Sequence, residues 1–338
     1  MKRLASFLCL LIATAVSAET LHLYTWADYI SPDVVKKFEK QHGCQVVIDT
    51  FDSNESMYAK LKAGATGYDL VFPTAYMIQV MHAEGLLQSL DHAKLPNLPH
   101  IDPVVLTKVI DTKMEHSVPY TFAYAALAIR KDKIKDAEPS YAMLDRAALA
   151  GRMTLLDDMR ESIGAALKSL GHSLNTRDDS QLAAAQEVLI RWKKHIARFD
   201  NEGYKAGIDS AEFHLVHGYS GDLFQVQMEN PKVEILIPRE GVTIGCDEMV
   251  IPKTAKQTAL AHAMINFLLD PDIAAENMEW MGYYCPNKPA KAKLSPDFLA
   301  NPAITLPDDI AAKCEVIQDL GPDLAKYSKV WDAVKAAK

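Results

Sequence analysis

The chain has 338 residues, 49% hydrophobic and 24% charged, with 36 Lys and Arg against 44 Asp and Glu and a formal net charge of −8. That length suggests about two domains. The acidic balance argues against nucleic acid or an anionic membrane surface as a partner, and for a cationic one.

The N-terminus reads as an export signal. Met1, Lys2 and Arg3 form a short positive start, Leu4 to Val16 is an apolar run of 13 residues, and Val16-Ser17-Ala18 offers small residues where a signal peptidase reads. The run is too short for a permanent span, and Cys9 lacks the small residue before it that a lipid anchor needs. Cleavage after Ala18 would release the mature chain to the periplasm, so residues 1–18 are set apart from the fold. Losing Lys2 and Arg3 leaves 34 basic residues against 44 acidic, a net charge of −10. Four cysteines remain, Cys44, Cys246, Cys285 and Cys314, with no CxxC. A chain of this length relies on its core, and at most one disulfide is expected.

"LHLYT" (21–25) opens as a buried strand. Ser31-Pro32 starts a helix, an N-cap followed by proline at the first helical position, with Val34, Val35 and Phe38 on one face and Gly43 as its stop. "CQVVIDTF" (44–51) is a second strand. Asp52 and Glu55 fit a capping box for a helix through Met57, Tyr58 and Leu61 to Gly64. "YDLVFP" (68–73) is a third strand, and Thr74 to Glu84 a helix ended by Gly85. This alternation implies a parallel sheet with helices on both faces. Ligands in such sheets sit beyond the carboxyl ends of the strands.

A second α/β unit follows. "VPYTFAYAALAIR" (118–130) is extended, "GRMTLLDD" (151–158) a strand, Glu161 to Leu170 and Gln181 to Ile196 helices. "FHLVHGY" (213–219), "VEILIP" (233–238) and "EMVIP" (248–252) are strands, Thr258 to Leu269 an apolar helix, and two more helical segments end the chain.

Five stretches join acids or aromatics to strand ends or connections: "TWADY" (25–29), "LLDDMRE" (155–161), "GYSGD" (218–222), "GCDE" (245–248) and "MGYYCPN" (281–287). Their chemistry suits an organic ammonium. Its three donors need carboxylates or carbonyls, and its alkyl stem needs flat walls that also offer cation–π attraction. Enzyme readings are weaker. "GYSGD" lacks the glycine a nucleophile elbow requires. His214 and His217 fall on opposite faces of a strand. No HExxH, P-loop or GxGxxG occurs. Asp157, Asp158 and Glu161 read more simply as the acidic first turn of a helix than as a glycosidase pair. Trp192, Trp280 and Trp331 lie in helical segments and read as core. Neither a metal nor a cofactor is expected.

With those residues in hand, the chain resembles the periplasmic polyamine-binding proteins of ABC transporters, the spermidine/putrescine receptors. The likeness is sharpest in "LYTWADYISPDVVKKFEKQHG", "DSNESMYAKLKAG", "YDLVFPTAYMIQVMHAEGLLQSLD" and "INFLLDPDIAAENMEWMGYYCPN". It implies an α/β fold of two lobes, the type II periplasmic-binding-protein fold, each lobe a mainly parallel sheet flanked by helices. Lobe 1 would hold residues 19–122 and 248–293, and lobe 2 residues 123–247 and 294–338. By resemblance, Trp26 is an aromatic wall, with Asp28 and Tyr29 its polar neighbours and Thr74 and Tyr76 a hydroxyl-bearing pair. Asp158 and Glu161 hold one amine end, Tyr219 stands where tryptophan is common, and Asp222 follows it. Asp247 is the central carboxylate, Tyr283 a second wall, and Gln318 a polar contact. Gly245 replaces a usual aromatic, leaving Tyr284 or Trp280 to supply that wall. The implied function is non-enzymatic capture of a polyamine, spermidine favoured over putrescine, by a monomer that delivers it to a membrane permease. The alternatives are a receptor for another organic cation, or a polyamine sensor not coupled to transport.

Overall fold

The computed structural model describes residues 18–106 and 109–337. The expected export signal, residues 1–18, lies outside the described residues except for Ala18.

The first strands and helices form where local chemistry asks for them. Strand β1 (Thr20–Thr25) leads to α1 (Pro32–His42), which Ser31 caps by accepting from Asp33 N and Gly43 ends at φ 62°. Strand β2 (Gln45–Thr50) leads to α2 (Asn54–Lys62). The expected capping box is replaced here. Ser53 is the cap, accepting from Ser56 N, and Glu55 accepts from the Tyr76 hydroxyl at 3.2 Å. Strand β3 is short, Leu70–Val71, and α3 spans Ala75–Ala83.

Strand β4 (Ser117–Arg130) is the longest, at 14 residues. It precedes β5 (Met153–Leu155), α4 (Met159–Ser169), α5 (Asp179–Lys193), β6 (Arg198–Phe199), α6 (Gly203–Ser210), β7 (Leu215–Tyr219), α7 (Ser220–Glu229) and β8 (Val233–Leu236). Strand β9 (Thr243–Val250) then takes in all of "GCDE", where the sequence predicts a strand only from Glu248. Pairing with β4 holds this glycine- and acid-containing stretch extended, from Tyr124 opposite Ile244 to Ser117 opposite Val250. Helices α8 (Thr258–Leu268) and α9 (Pro271–Met281) follow, then single-turn helices, β10 (Glu315–Val316) and α10 (Leu324–Ala336).

The strands run β2-β1-β3-β9-β4-β7-β5-β6, with β10 beside β9 and β8 beside β4. The outer pairs are parallel, β1 with β2 and β3, and β5 with β6 and β7. The central pair is antiparallel. Strand β4 uses residues 117–124 against β9 and residues 125–130 against β7 and β8. It therefore joins two half-sheets, the crossing-strand arrangement of a two-lobed fold. Ala125, Ala126, Leu127 and Ala128 are all fully buried at the middle of β4, as a central strand covered on both faces requires.

The hydrophobic cores divide along the same line. One gathers Leu21, Leu23, Phe38, Phe72, Met249, Met264 and Met281. Two others gather Leu155, Leu167, Trp192 and Tyr327, and Val216, Phe213, Leu223 and Ile304. Trp192 is core as expected, and Trp331 is part-buried against the same cluster. Trp280 is not core: it is 37% exposed, on the outer face of α9. Cys44, Cys246, Cys285 and Cys314 are all thiols, no two of them bridged. No helix among the described residues is long and apolar enough to cross a membrane.

Candidate functional site

A cleft of about 790 Å³, its mouth included, opens between the half-sheets. It is built from strand ends. Trp26, Ala27 and Tyr29 follow β1, Phe51, Asp52 and Asn54 follow β2, and Thr74 and Tyr76 follow β3. From the other side, Asp158 and Glu161 follow β5, Asn201 and Glu202 follow β6, and Tyr219 and Asp222 lie where β7 meets α7. Ala123 of β4 and Gly245 and Asp247 of β9 form the floor, with Tyr283 and Ile317 completing the wall. The carboxyl ends of six parallel strands thus converge, where the topology places ligands.

Ten of the twelve residues singled out in the sequence line this cleft; Asp28 and Gln318 do not. Asp28 adopts a left-handed backbone, φ 52°, and its carboxylate pairs with Lys205 at 2.8 Å in a neighbouring surface groove. The expected Trp26–Asp28 partnership fails because that turn sends the two side chains to different cavities. Gln318 lines another groove, behind β10. Its backbone carbonyl accepts from the Arg160 side chain at 2.9 Å. Neither Tyr284 nor Trp280 replaces the aromatic missing at Gly245, since each lines a different cavity. Phe51 and Ile317 supply apolar wall instead. Phe51 packs on Trp26 with ring centroids 4.4 Å apart. Its place at the end of β2, matching Trp26 at the end of β1, was a signal the sequence carried.

Asp247 is 7% exposed. Its Oδ1 accepts from the Thr74 hydroxyl at 2.6 Å and its Oδ2 from the Tyr29 hydroxyl. Thr74 is itself fixed by Asn54, whose side chain donates to Thr74 Oγ1 at 2.9 Å and accepts from Thr74 N at 3.0 Å. Asp158 both caps α4 and faces the cleft. One oxygen accepts from the N–H groups of Arg160 and Glu161 at 2.9 and 3.0 Å, the other from the Tyr219 hydroxyl at 3.3 Å. Asp158 is thus a helix cap that also lines the cleft. Glu161, 6% exposed, accepts from the Thr243 hydroxyl. Asp222 accepts from the Tyr204 hydroxyl at 2.6 Å.

Tyr283 is held close by a glycine. A Cβ at Gly221 would lie 2.2 Å from its ring. Gly221→Ala is therefore expected to displace Tyr283 and to cost roughly 1–3 kcal/mol of folding stability, read as a lower denaturation midpoint. An unchanged midpoint would show that the ring has room to move.

The electrostatics are one-sided. Burial raises Asp247 to about 6. Burial, and then the neighbouring charge of Asp158, raises Glu161 to about 8. Burial raises Asp158 against the hydrogen bonds it accepts, and raises Asp222 against the pull of Lys205. Ionised carboxylates crowded away from water oppose one another; a cation among them would favour ionisation of all. Among the described residues no group of three or more His, Cys, Asp and Glu is arranged to hold a metal ion. His217, of the HxxH, is fully buried, and burial lowers it to about 3.

Comparison with known proteins agrees with this architecture. Residues 33–306 match the family model described as bacterial extracellular solute-binding protein. The spermidine/putrescine-binding periplasmic protein of Salmonella typhimurium is 35% identical over 96% of this chain and 94% of its own. The putrescine/cadaverine-binding protein of Pseudomonas aeruginosa is 33% identical over 96% and 95%. The solved spermidine/putrescine ABC transporter substrate-binding protein of Streptococcus pneumoniae superposes with a TM-score of 0.80 at 32% identity, covering 94% of this chain and 99% of that one. These relatives are binding receptors rather than enzymes, and with an acid- and aromatic-lined cleft between two half-sheets, the chain belongs to the bacterial extracellular solute-binding proteins, alongside the periplasmic spermidine/putrescine receptors.

Proposed function

We propose that this chain captures a polyamine in the cleft between its two lobes, residues 19–122 with 248–293 and residues 123–247 with 294–338, and delivers it to the membrane permease of an ABC transporter. One observation carries the reading. Six acids (Asp52, Asp158, Glu161, Glu202, Asp222, Asp247) and six aromatics (Trp26, Tyr29, Phe51, Tyr76, Tyr219, Tyr283) line the cleft, and no Lys, Arg or His among the described residues does. Buried carboxylates need partners that water no longer supplies. Ammonium groups answer the acids, and a flexible methylene chain answers the aromatic walls.

Spermidine is favoured over putrescine on charge. Lys205 accounts for Asp222, leaving Asp158, Glu161 and Asp247 in the deeper cleft to match three ammonium groups rather than two. Titration calorimetry with spermidine, spermine, putrescine and cadaverine tests this. Spermidine should bind most tightly; no heat and no thermal shift with any of the four would reject the reading. A second reading, a bulkier organic cation, is favoured by Gly245, where even a Cβ would meet nothing closer than the Thr74 methyl at 3.5 Å. Native mass spectrometry of the co-purified ligand separates the two.

A further inference from the structure

Among the described residues, Asp222 is the only acid lining the cleft that already has an ion-pair partner within the chain. Lys205 reaches it from α6, with Nζ 3.4 Å from Asp222 Oδ1. The same ammonium donates to Asp28 at 2.8 Å and to Gln225 at 3.0 Å. The other Asp222 oxygen is taken by Tyr204. Lys205 does not line the cleft. It lines the adjoining surface groove, together with Asp28, Glu229, Glu279 and Trp280. Asp222 and Lys205 thus form the partition between a cleft whose other acids lack a direct ion-pair partner among the described residues and a groove that carries more acids and an indole.

We propose that Lys205 is a resident counter-ion that sets how many ammonium groups the cleft accepts, by occupying from behind the carboxylate that would otherwise hold one more. The inference rests on the polyamine reading and deepens it. With Lys205 in place, Asp222 offers a ligand little net charge, and the chain of a longer polyamine finds the way to the groove closed. Without it, Asp222 faces the cleft as an unpaired acid, and the acids of the groove lie beyond it. Lys205 then determines specificity through Asp222; it is a positioning residue that does not itself touch the ligand.

The test is the ratio of spermine to spermidine affinity in the full chain. Lys205→Met keeps the apolar stem and removes the charge. It should shift the ratio towards spermine about tenfold, the size of one charge-assisted hydrogen bond. Lys205→Arg should restore the wild-type ratio. Asp28→Asn, which leaves the Lys205–Asp222 pair, should leave the ratio unchanged. Equal weakening of both ligands by Lys205→Met, or the same ratio shift from Asp28→Asn, would overturn the proposal and make Lys205 a brace between the half-sheets. Lys205→Gln provides the same comparison if methionine destabilises the fold. Failure of the wild-type protein to bind either polyamine is a separate outcome, which rejects the polyamine reading itself.

Discussion

Asp247→Asn should weaken polyamine binding by roughly 1.5–3 kcal/mol or more, since it removes a charge-assisted hydrogen bond in a site poor in water. That is about ten- to a hundredfold in Kd. The site is organised around this carboxylate. Tyr29 and Thr74 both donate to it, and Asn54 fixes Thr74 from behind. Neither donor is a cation, so the charge on Asp247 is directed to a partner the chain does not provide. The asparagine variant is also informative about stability. It removes a buried carboxyl that burial holds at about 6, so the ligand-free protein should unfold no more easily than wild type near neutral pH. Calorimetry and a thermal melt on the same sample separate the effects. Unchanged affinity would remove Asp247 from the ligand site.

Binding should also strengthen steeply with pH between 5.5 and 8.5. An ammonium is held by ionised acids, and Glu161 ionises only around 8, Asp247 around 6. Below 8 a proton must leave Glu161 when the ligand arrives. Holding that group ionised at pH 6 costs roughly 3 kcal/mol, about a hundredfold in affinity. Calorimetry in two buffers of different ionisation heat would count the released proton. The stability of the ligand-free protein runs the other way. A carboxyl raised above its unfolded value adds stability that is fully present below that unfolded value and is lost as pH rises through the folded one. Glu161 and Glu248, both raised by burial from 4.5 to about 8, should therefore lower the ligand-free melting temperature as pH rises from about 4.5 to about 8, and ligand should offset the part due to Glu161. Affinity that stays flat from pH 6 to 8.5 would mean that Glu161 does not meet the ligand's charge.

The parts of this fold legible in sequence are those set by neighbours along the chain. Ser31, Pro32 and Gly43 bound α1 where expected because capping acts over one turn. Tyr76, Asp158 and Tyr219 could be placed in the cleft because each ends or follows a strand, and a parallel sheet gathers strand ends on one side. What was illegible depends on partners distant in sequence. "GCDE" has few strand-forming residues, and the partners that hold it extended, β4 on one edge and Pro73 and Thr74 on the other, lie more than a hundred residues earlier. Asp28 sits two residues from Trp26, yet Lys205 and a left-handed turn take it elsewhere. Asn201, Glu202 and Ile317 carry no local signal at all. They reach the cleft because β6 and β10 end beside it.

Strand β9 alternates its side chains between two compartments. Gly245 and Asp247 look into the cleft, and Thr243 reaches Glu161 from the same face. Ile244 borders an apolar groove on the reverse, and Cys246 packs there with Val105 and Phe122. Substitutions at every second position can thus retune what is recognised while leaving the scaffold contacts on the other face intact. Inserting or deleting a single residue would do the reverse: it would turn the carboxylate outward and a thiol inward, abolishing recognition while the strand itself still paired.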